Sequence, residues 1–502
     1  MIMTGQRPVM GAVAAWALVF GSSAAVLIIE ITALRLLAPY LGLTLETSTL
    51  VIGIALAAIA FGSWGGGRLA DRVDPRRVLG QTLGGSGVVV AFTPVAVRAA
   101  GEWAPAALML VASMTILLPG ALLSAVTPMV TKLRLTRLDH TGAVVGSLSG
   151  VASVGAIAGT VLTGFVLLSR VPVSAILVGL GMLLVVAGVL CEWRIHTWTA
   201  CNTAGLTVAV LIGGFTAYVA PGACDVETKY HCVGIAADPQ RATGRALILD
   251  GLRHSYVDVE NPKVLQFAYV RSIAAGVDAA FPGSEPLQAY HLGGGGLTYP
   301  RYLAATRPGT QSLISEIDGG VVQIDRDELG LSSELGIEVR IEDGRLGLRR
   351  LPTGSMDLIV GDAFGGVSVP WHLTTVQTMR DVQRVLNRTG VYIANLIDHG
   401  GLAFVRAEVA TLLTVFDNVV LLAESRDLKG VPTLEPDGGN FVVLASDRPI
   451  DGTAVQNGLD IRSTAWTSMS DSDLNTWVGE AKQLTDDYAP VDQLLEPNPP
   501  ER

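Results

Sequence analysis

The chain has 502 residues, half of them hydrophobic, and a formal net charge of −10. This length exceeds one compact domain, and the average composition is too apolar for an ordinary soluble enzyme. The acidic balance also argues against nucleic acid as a partner. The charge is uneven, because residues 1–220 contain 12 Lys and Arg against 7 Asp and Glu, whereas the remainder contains 23 against 38. We therefore predict two physically different halves.

The first half is a series of apolar runs. Further hydrophobic segments follow the first run, so that run is not a cleaved signal peptide. Small residues crowd the runs, as in "GSLSGVASVGAIAGTVLTG", and small faces let helices approach closely in lipid. We predict an N-terminal polytopic α-helical membrane bundle over residues 1–220. Its partner is the lipid bilayer of the cell membrane, and about seven runs have spanning length, near residues 11–30, 47–67, 78–98, 105–130, 142–168, 173–191 and 204–220.

The basic residues between the runs indicate an orientation. With a cytoplasmic N-terminus, nine basic residues fall in inside joints and three, Arg35, Arg98 and Arg170, fall in outside joints. Cytoplasmic joints are enriched in Lys and Arg, so this bias favours that orientation. Seven spans then place everything after Ala220 outside the cytoplasm. If one run is re-entrant, with 142–168 the best candidate, the side reverses.

Two cysteines lie directly after the last run. Cys224 and Cys232 bracket "CDVETKYHC", and this spacing alone is compatible with two free thiols or with a disulfide. An oxidising location favours the disulfide, which we predict together with the outside location.

Two features of the membrane half have alternative interpretations. Glu30, at the end of the first run, is either a functional intramembrane acid or a solvated interfacial one. The stretch "GRLADRVDPRR" resembles a loop of major-facilitator transporters. Seven spans are too few for that fold, so we interpret the stretch as a positive-inside anchor.

From about residue 221 the pattern changes to alternating strands and helices. Residues 264–281 have the apolar spacing of a helix, and short apolar strands surround it. This alternation predicts a doubly wound, largely parallel sheet. The predicted strands lie in "ALILDGL", "LQAYHLGGGG", "QSLISEIDGG", "IEVRIEDGR", "MDLIVGDAFGG", "TGVYIANLI", "NVVLLA" and "NFVVLAS".

Four carboxylates follow predicted strands: Glu316, Asp318, Asp343 and Asp362. Each one alone would be read as a turn-forming or helix-capping residue. In a doubly wound sheet, however, ligands bind beyond the carboxyl ends of the strands. Four acids there, with the glycine loop of "HLGGGGLTYPR", indicate a ligand site. A carboxylate after the second strand of the sheet could accept both hydroxyls of a ribose.

The histidines are scattered without the spacing of zinc ligands, so we predict no metal site. His291 and His372 could face the cleft, although a lone histidine beside a strand is more often structural. No Gly-x-Ser-x-Gly elbow of a serine hydrolase is present.

Five motifs in order, "LILDGLRHSYVD", "YHLGGGGLTYPR", "LISEID", "IEDGR" and "MDLIVGDAFGG", resemble the spermidine synthase family of polyamine aminopropyltransferases, in its membrane-fused branch. The resemblance covers about residues 245–445. It implies a C-terminal α/β Rossmann-like, methyltransferase-type fold with a small β-rich lead-in. We accordingly divide the soluble half into a linker and β-rich segment (221–260), a nucleotide-binding domain (261–450) and a C-terminal extension (451–502).

The resemblance also implies roles for individual residues. The co-substrate would be decarboxylated S-adenosylmethionine or a related nucleoside, and the acceptor a polyamine. Glu316 would hold the ribose, Asp343 would meet the adenine, and Asp362 would help to deprotonate the attacking amine. The positions implied to line the nucleoside pocket are Gly293, Gly294 and Gly295, and those implied for substrate binding are Asp250 and His254.

The chain also departs from the family pattern. Gly296 stands where the family has the acid that binds the aminopropyl amine, Gly365 replaces a second acid, and His254 replaces a glutamine. From the resemblance we predict a membrane-bound aminopropyltransferase. The alternatives are a diverged nucleoside-binding or transferase domain on an anchor, and a transporter or scaffold with a regulatory soluble domain. A homo-oligomer is compatible with all three.

Overall fold

The structure is a computed structural model that describes residues 10–41, 45–135, 141–168, 170–195, 211–212, 214–215, 224–332, 336–366, 368–429 and 438–496. The chain forms two compact units, Met1–Cys232 and Val233–Arg502. Each unit has its own hydrophobic core, so each is described by itself.

The first unit is a bundle of long apolar helices. Six of them are long and apolar enough to cross a membrane. The seventh predicted run, 204–220, lies almost entirely outside the described residues. The helices are α1 (Ala12–Leu41), α2 (Leu45–Arg72), α3 (Pro75–Trp103), α4 (Pro105–Ser124) continued by α5 (Val126–Arg134), α6 (Thr141–Leu162) continued by a π-helical turn (Thr163–Leu167), and α7 (Val173–Ile195).

Glycines lie where the helices cross. A Cβ on Gly87 of α3 would lie 2.5 Å from the carbonyl oxygen of Gly181 on α7, and a Cβ on Gly181 would lie 2.5 Å from the carbonyl oxygen of Gly87. Gly155 and Gly159 of α6 meet the backbone of α1 in the same way. Because these crossings bring backbone against backbone, a side chain at any of these positions would force the helices apart.

The outer surface of the bundle is apolar. Trp103 is 82% exposed and Phe165 79% exposed, and large apolar side chains such as Leu110, Phe61 and Leu183 are also exposed. A soluble protein rarely presents so many apolar side chains on one body, and such a surface is typical of helices surrounded by lipid.

A short loop after the bundle is closed by a disulfide between Cys224 and Cys232. Within this loop, Glu227 of the short strand β1 (Val226–Glu227) accepts the backbone N–H of Val173, the first residue of α7, at 2.6 Å. Arg35 of α1 donates to the carbonyl oxygen of Thr228 at 2.8 Å, and also to that of Tyr230. The closed loop is therefore held at two points by the helical bundle.

The second unit begins with antiparallel strands β2 (Cys232–Asp238), β3 (Arg241–Leu249) and β4 (Leu252–Asp258). Asp250 and Gly251 connect β3 to β4, with φ of 51° and 84°. Positive φ at both central residues is the geometry of a tight hairpin turn, which Asp-Gly favours. These strands correspond to the predicted β-rich lead-in.

The main sheet of the second unit has eight strands in the order β12-β10-β11-β9-β8-β5-β6-β7. The strands from β9 to β7 pair in parallel, whereas β9 with β11, β11 with β10 and β10 with β12 pair antiparallel. Their bounds are β5 (Gln288–Leu292), β6 (Gln311–Glu316), β7 (Ile337–Ile341), β8 (Met356–Gly361), β9 (Leu386–Asp398), β10 (Asn418–Glu424), β11 (Gly439–Ser446) and β12 (Trp466–Ser470).

The sheet is thus mixed, and the prediction of a largely parallel sheet was wrong for its C-terminal side. Strand β12 comes from residues 451–502, which the sequence assigned to an extension. It pairs with β10 and forms an edge of the sheet.

Helices cover both faces of this sheet. Adjacent residues of β8 illustrate the alternation, since Ile359 joins one apolar cluster while Leu358 and Val360 join the cluster on the opposite face. The main helices are α8 (Ala268–Ala280), α9 (Thr298–Thr306), α10 (Gly319–Asp327), α11 (Gly344–Arg350), α12 (Val376–Val385), α13 (Ala403–Leu413), α14 (Ser425–Lys429), α15 (Gly452–Ile461), α16 (Asp471–Val478) and α17 (Val491–Leu494). This is the doubly wound α/β fold that the sequence predicted.

Candidate active site

The glycine loop follows β5, the strand at which the strand order reverses. Because β6 and β8 lie on either side of β5, their connections leave a crevice at its carboxyl end. Gly293 has φ of 90°, and a Cβ there would lie 2.5 Å from the carbonyl oxygen of Asp362. Gly295 has φ of 47°. These positions favour glycine by both conformation and space.

Glu316 ends β6 and faces this loop. Its two carboxylate oxygens accept the backbone N–H groups of Gly294 and Asp318, each at 2.8 Å. The side chain is 9% exposed. A carboxylate has acceptor capacity for about four hydrogen bonds, so two remain for a ligand. Glu316 therefore fixes the loop and keeps the capacity to bind hydroxyl groups.

Two of the four strand-end acids cap helices. Asp318 accepts the N–H of Gly320 at the start of α10, and Asp343 accepts the N–H of Leu346 at the start of α11, both at 2.9 Å. The second oxygen of Asp343 lies 3.0 Å from Nε2 of His372. Asp343 is thus both a helix cap and a partner of His372.

Asp362 follows β8 next to the glycine loop. Asn395 of β9 donates to its Oδ1 at 2.9 Å, and the Tyr269 hydroxyl of α8 donates to its Oδ2 at 3.3 Å. Burial raises the pKa of Asp362 to about 6, against the opposing effect of these two hydrogen bonds. The pKa of Tyr269 is also raised, first by burial and then by the Asp362 charge. A carboxylate that titrates near pH 6 can take up a proton at neutral pH.

The lead-in strand β4 contacts the glycine loop. Ser255 accepts the N–H of Gly296 at 3.0 Å, and Thr298 donates to the carbonyl oxygen of Tyr256 at 3.0 Å. His254, half-buried, precedes Ser255 in this strand, and Asp250 lies buried in the turn before it.

The two positions that lack an acid differ in the space around them. A Cβ on Gly296 would lie 3.0 Å from Cβ of Ser255 and 3.1 Å from Cγ2 of Val257, so a larger residue requires β4 to shift. A Cβ on Gly365 would meet nothing within 4 Å. An acidic side chain would therefore find open space at position 365 but not at position 296.

Several residues of this region were not predicted from the sequence. Tyr269 and Asn395 contact Asp362, and Asn440 of β11 donates to Asn395 at 3.0 Å. The "FAY" of a predicted helix and single asparagines in apolar strands carry no signal of their own. In the part of the chain that the structure describes, no cluster of His, Cys, Asp and Glu is arranged to hold a metal ion.

Comparison with known proteins gives relatives for the second half of the chain. A polyamine aminopropyltransferase from Vibrio vulnificus is 27% identical over 257 residues, which is 48% of this chain and 79% of that protein. A second one, from Chromobacterium violaceum, is 25% identical over 167 residues, which is 33% of this chain and 62% of that protein.

Among solved structures, a probable spermidine synthase from Corynebacterium glutamicum is 26% identical with a TM-score of 0.47, covering 51% of this chain and 94% of that one. No protein-family model matches the chain. The two sequence relatives confirm the resemblance to the spermidine synthase family, to which the second half of this chain is similar.

Proposed function

We propose that this protein is a membrane-bound enzyme of the aminopropyltransferase type, with decarboxylated S-adenosylmethionine as donor and an amine as acceptor. One observation carries the proposal: the glycine loop, Glu316, Asp343 and Asp362 all lie at the carboxyl ends of the neighbouring parallel strands β5, β6, β7 and β8. This is where a doubly wound sheet binds a nucleoside and presents catalytic groups to it.

The donor would lie along the strand ends. Glu316 would accept the ribose hydroxyls with the acceptor capacity that the loop leaves free, and Gly293 to Gly295 would allow the nucleoside to approach the backbone. Asp343, with His372 beside it, would face the adenine edge. Asp250 and His254 would contribute from the lead-in hairpin to the substrate side.

The reaction would be a displacement at the carbon next to the sulfonium. An amine nitrogen forms a C–N bond, the C–S bond breaks with its electron pair going to sulfur, and methylthioadenosine leaves. The amine must lose a proton, and Asp362 would receive it. A placed base of this kind contributes roughly 10²- to 10⁴-fold to the rate. Tyr269 and Asn395 would hold the carboxylate in position.

The first half would anchor this enzyme in a lipid bilayer. The six apolar helices and their exposed apolar side chains support this proposal. We further propose that the N-terminus is cytoplasmic and that the soluble half lies outside the cytoplasm. The basic residues of the joints and the Cys224–Cys232 disulfide support this orientation.

The test of the proposed function is an aminopropyl-transfer assay on the full chain in detergent, with decarboxylated S-adenosylmethionine and a panel of amines. We expect turnover by the wild type and a loss of at least about 100-fold in Asp362→Asn. Asp460→Asn, which changes an exposed carboxylate on α15, is the control and should retain full activity. Equal activity in wild type and Asp362→Asn would contradict the proposal.

Nucleoside binding can be measured separately from turnover. In calorimetry with methylthioadenosine, Glu316→Ala should weaken binding by about 1–3 kcal/mol, because it removes a buried charged acceptor. The same affinity in wild type and variant would refute the ribose assignment.

A second candidate is a diverged nucleoside-binding domain that does not use a polyamine. It is favoured by Gly296 and Gly365, which supply no charge for a dication. Gly365→Asp should raise turnover of a diamine such as putrescine if the acceptor pocket has lost only charge, since space is open there. Gly365→Asn is the uncharged control. Robust diamine turnover by the wild type would refute this candidate.

A further inference from the structure

A chain of amides leads from the last part of the sheet to Asp362. Nδ2 of Asn440 donates to Oδ1 of Asn395 at 3.0 Å, and Nδ2 of Asn395 donates to Oδ1 of Asp362 at 2.9 Å. Strands β9 and β11 pair with Asn395 opposite Val442 and Asn440 opposite Ile397, so the two asparagines are diagonal neighbours on one face of the sheet. Asn395 is buried.

The direction of these hydrogen bonds has a consequence for the carboxyl group. The two ends of an amide differ, since the oxygen only accepts and the nitrogen only donates. While Asn440 donates to the oxygen of Asn395, the nitrogen of Asn395 must face Asp362, and this matches a deprotonated carboxylate. If Asn395 turned over, its oxygen would face Asp362, and only a protonated carboxyl could donate to it.

We propose that Asn440 is a positioning residue that, through Asn395, holds Asp362 in its deprotonated, hydrogen-bond-accepting state. The role of Asp362 as a base rests on the proposed function, whereas the coupling of Asn440 to its protonation does not.

The other groups around Asp362 do not select its deprotonated state in the way that the two amides do. From α8 the Tyr269 hydroxyl donates to Oδ2. On β5, burial lowers the pKa of His291 to about 3, so this histidine is neutral. At Gly293 the glycine loop lies against the backbone carbonyl of Asp362 and adds no side chain. In the part of the chain that the structure describes, no cation is paired with this carboxylate within 4.0 Å.

The test uses Asn440→Asp and Asn440→Ala in the full chain. A carboxylate at position 440 can only accept, so it draws the nitrogen of Asn395 toward itself and turns the amide oxygen toward Asp362. We expect the acidic limb of the pH profile of aminopropyl transfer to move up by about one pH unit or more in Asn440→Asp, and by less in Asn440→Ala. Combining Asn440→Asp with Asn395→Ala should remove most of the shift, which separates the action through Asn395 from a direct effect of the new charge.

A readout without turnover distinguishes failure of this inference from failure of the proposed function. Thermal unfolding of the full chain in detergent should show Asn440→Asp to be more destabilised at pH 8 than at pH 5, relative to wild type. In an Asp362→Asn background the carboxyl introduced at position 440 is kept and the carboxyl at position 362 is absent. This pH-dependent difference should then disappear. A difference that persists in the Asp362→Asn background, or one that Asn440→Ala reproduces fully, would overturn the inference. An inactive wild type that shows the expected pH-dependent differences would refute the proposed function alone.

Discussion

At the scale of single residues, Asp362 is placed between two opposing influences. Burial beside β8 favours the protonated form, while Asn395 and Tyr269 donate hydrogen bonds that favour the charged form. Burial has the larger effect, and the pKa of Asp362 reaches about 6. A group that is charged in this position at neutral pH lowers the stability of the folded state, which is common at sites that perform chemistry.

This balance predicts a pH-dependent effect of Asp362→Asn on stability. The pKa of Asp362 in the folded state lies above its unfolded value of about 3.9. The stabilising contribution of the protonated carboxyl is therefore fully present below about pH 4 and is lost as the pH rises through 6. Asparagine does not ionise and does not lose this contribution. The unfolding temperature of the variant minus that of the wild type should therefore be about 2–4 °C higher at pH 8 than at pH 5. Asp460→Asn should show no such change. An equal difference at both pH values would show that Asp362 does not titrate in this range.

Glu316 shows how one side chain can serve both structure and binding. It accepts N–H groups from the glycine loop and from the turn before α10. Because loss of Glu316 would leave the buried N–H of Asp318 and the half-buried N–H of Gly294 without this acceptor, Glu316 is needed even without a ligand. Loss of nucleoside binding in Glu316→Ala must therefore be compared with the folding of the variant, for example by its unfolding temperature.

At the scale of elements, the packing of α3 against α7 depends on glycines. Gly87 and Gly181 face each other, and each leaves room only for the backbone of the opposite helix. On the same helix α7, Gly179 has nothing within 4 Å of the position of a Cβ. The two positions are chemically identical and differ only in the direction that they face.

We therefore predict that Gly181→Ala destabilises the bundle and Gly179→Ala does not. The added methyl group at position 181 overlaps the carbonyl oxygen of Gly87, and overpacking of this kind costs about 1–3 kcal/mol. At position 179, alanine replaces glycine in a helix without a clash, which is neutral or stabilising. Unfolding temperature and yield of the two variants in the same detergent measure the difference. Equal stability would show that α3 and α7 do not pack through these residues.

The elements also show what the sequence could predict. Strands β5 to β8 and their terminal acids were predicted because an apolar run that ends in an acid or glycine is a local pattern. The direction of β10 and β11 was not, because strands buried on both faces have the same apolar pattern in either direction. Strand β12 was not predicted at all, because its sequence "WTSMS" is not an apolar run. Tyr269, Asn395 and Asn440 were missed because only the folded domain brings them together: Tyr269 and Asn395 contact Asp362, and Asn440 contacts Asn395.

At the scale of the whole molecule, the side of the membrane on which the second half lies depends on the number of spans. If each of the six described helices that are long and apolar enough to cross a membrane does so, they return the chain to the side on which it started. The run 204–220, outside the described residues except for four positions, would add the seventh crossing. The disulfide within Cys224–Cys232 is of the kind that persists in oxidising compartments. Together with the distribution of basic residues between the apolar runs, this disulfide favours a seventh crossing by residues 204–220.

We predict that Ser284 faces the outside of the cell and Arg72 the cytoplasm. Both side chains are exposed, one in the second unit and the other at the end of α2. In intact cells, a membrane-impermeant maleimide should label Ser284→Cys but not Arg72→Cys, in a background with Cys191 and Cys201 changed to serine. Both should react after permeabilisation. Because the positive-inside bias fixes α2 independently of the seventh run, labelling of neither variant would place Ser284 in the cytoplasm and show that residues 204–220 do not cross.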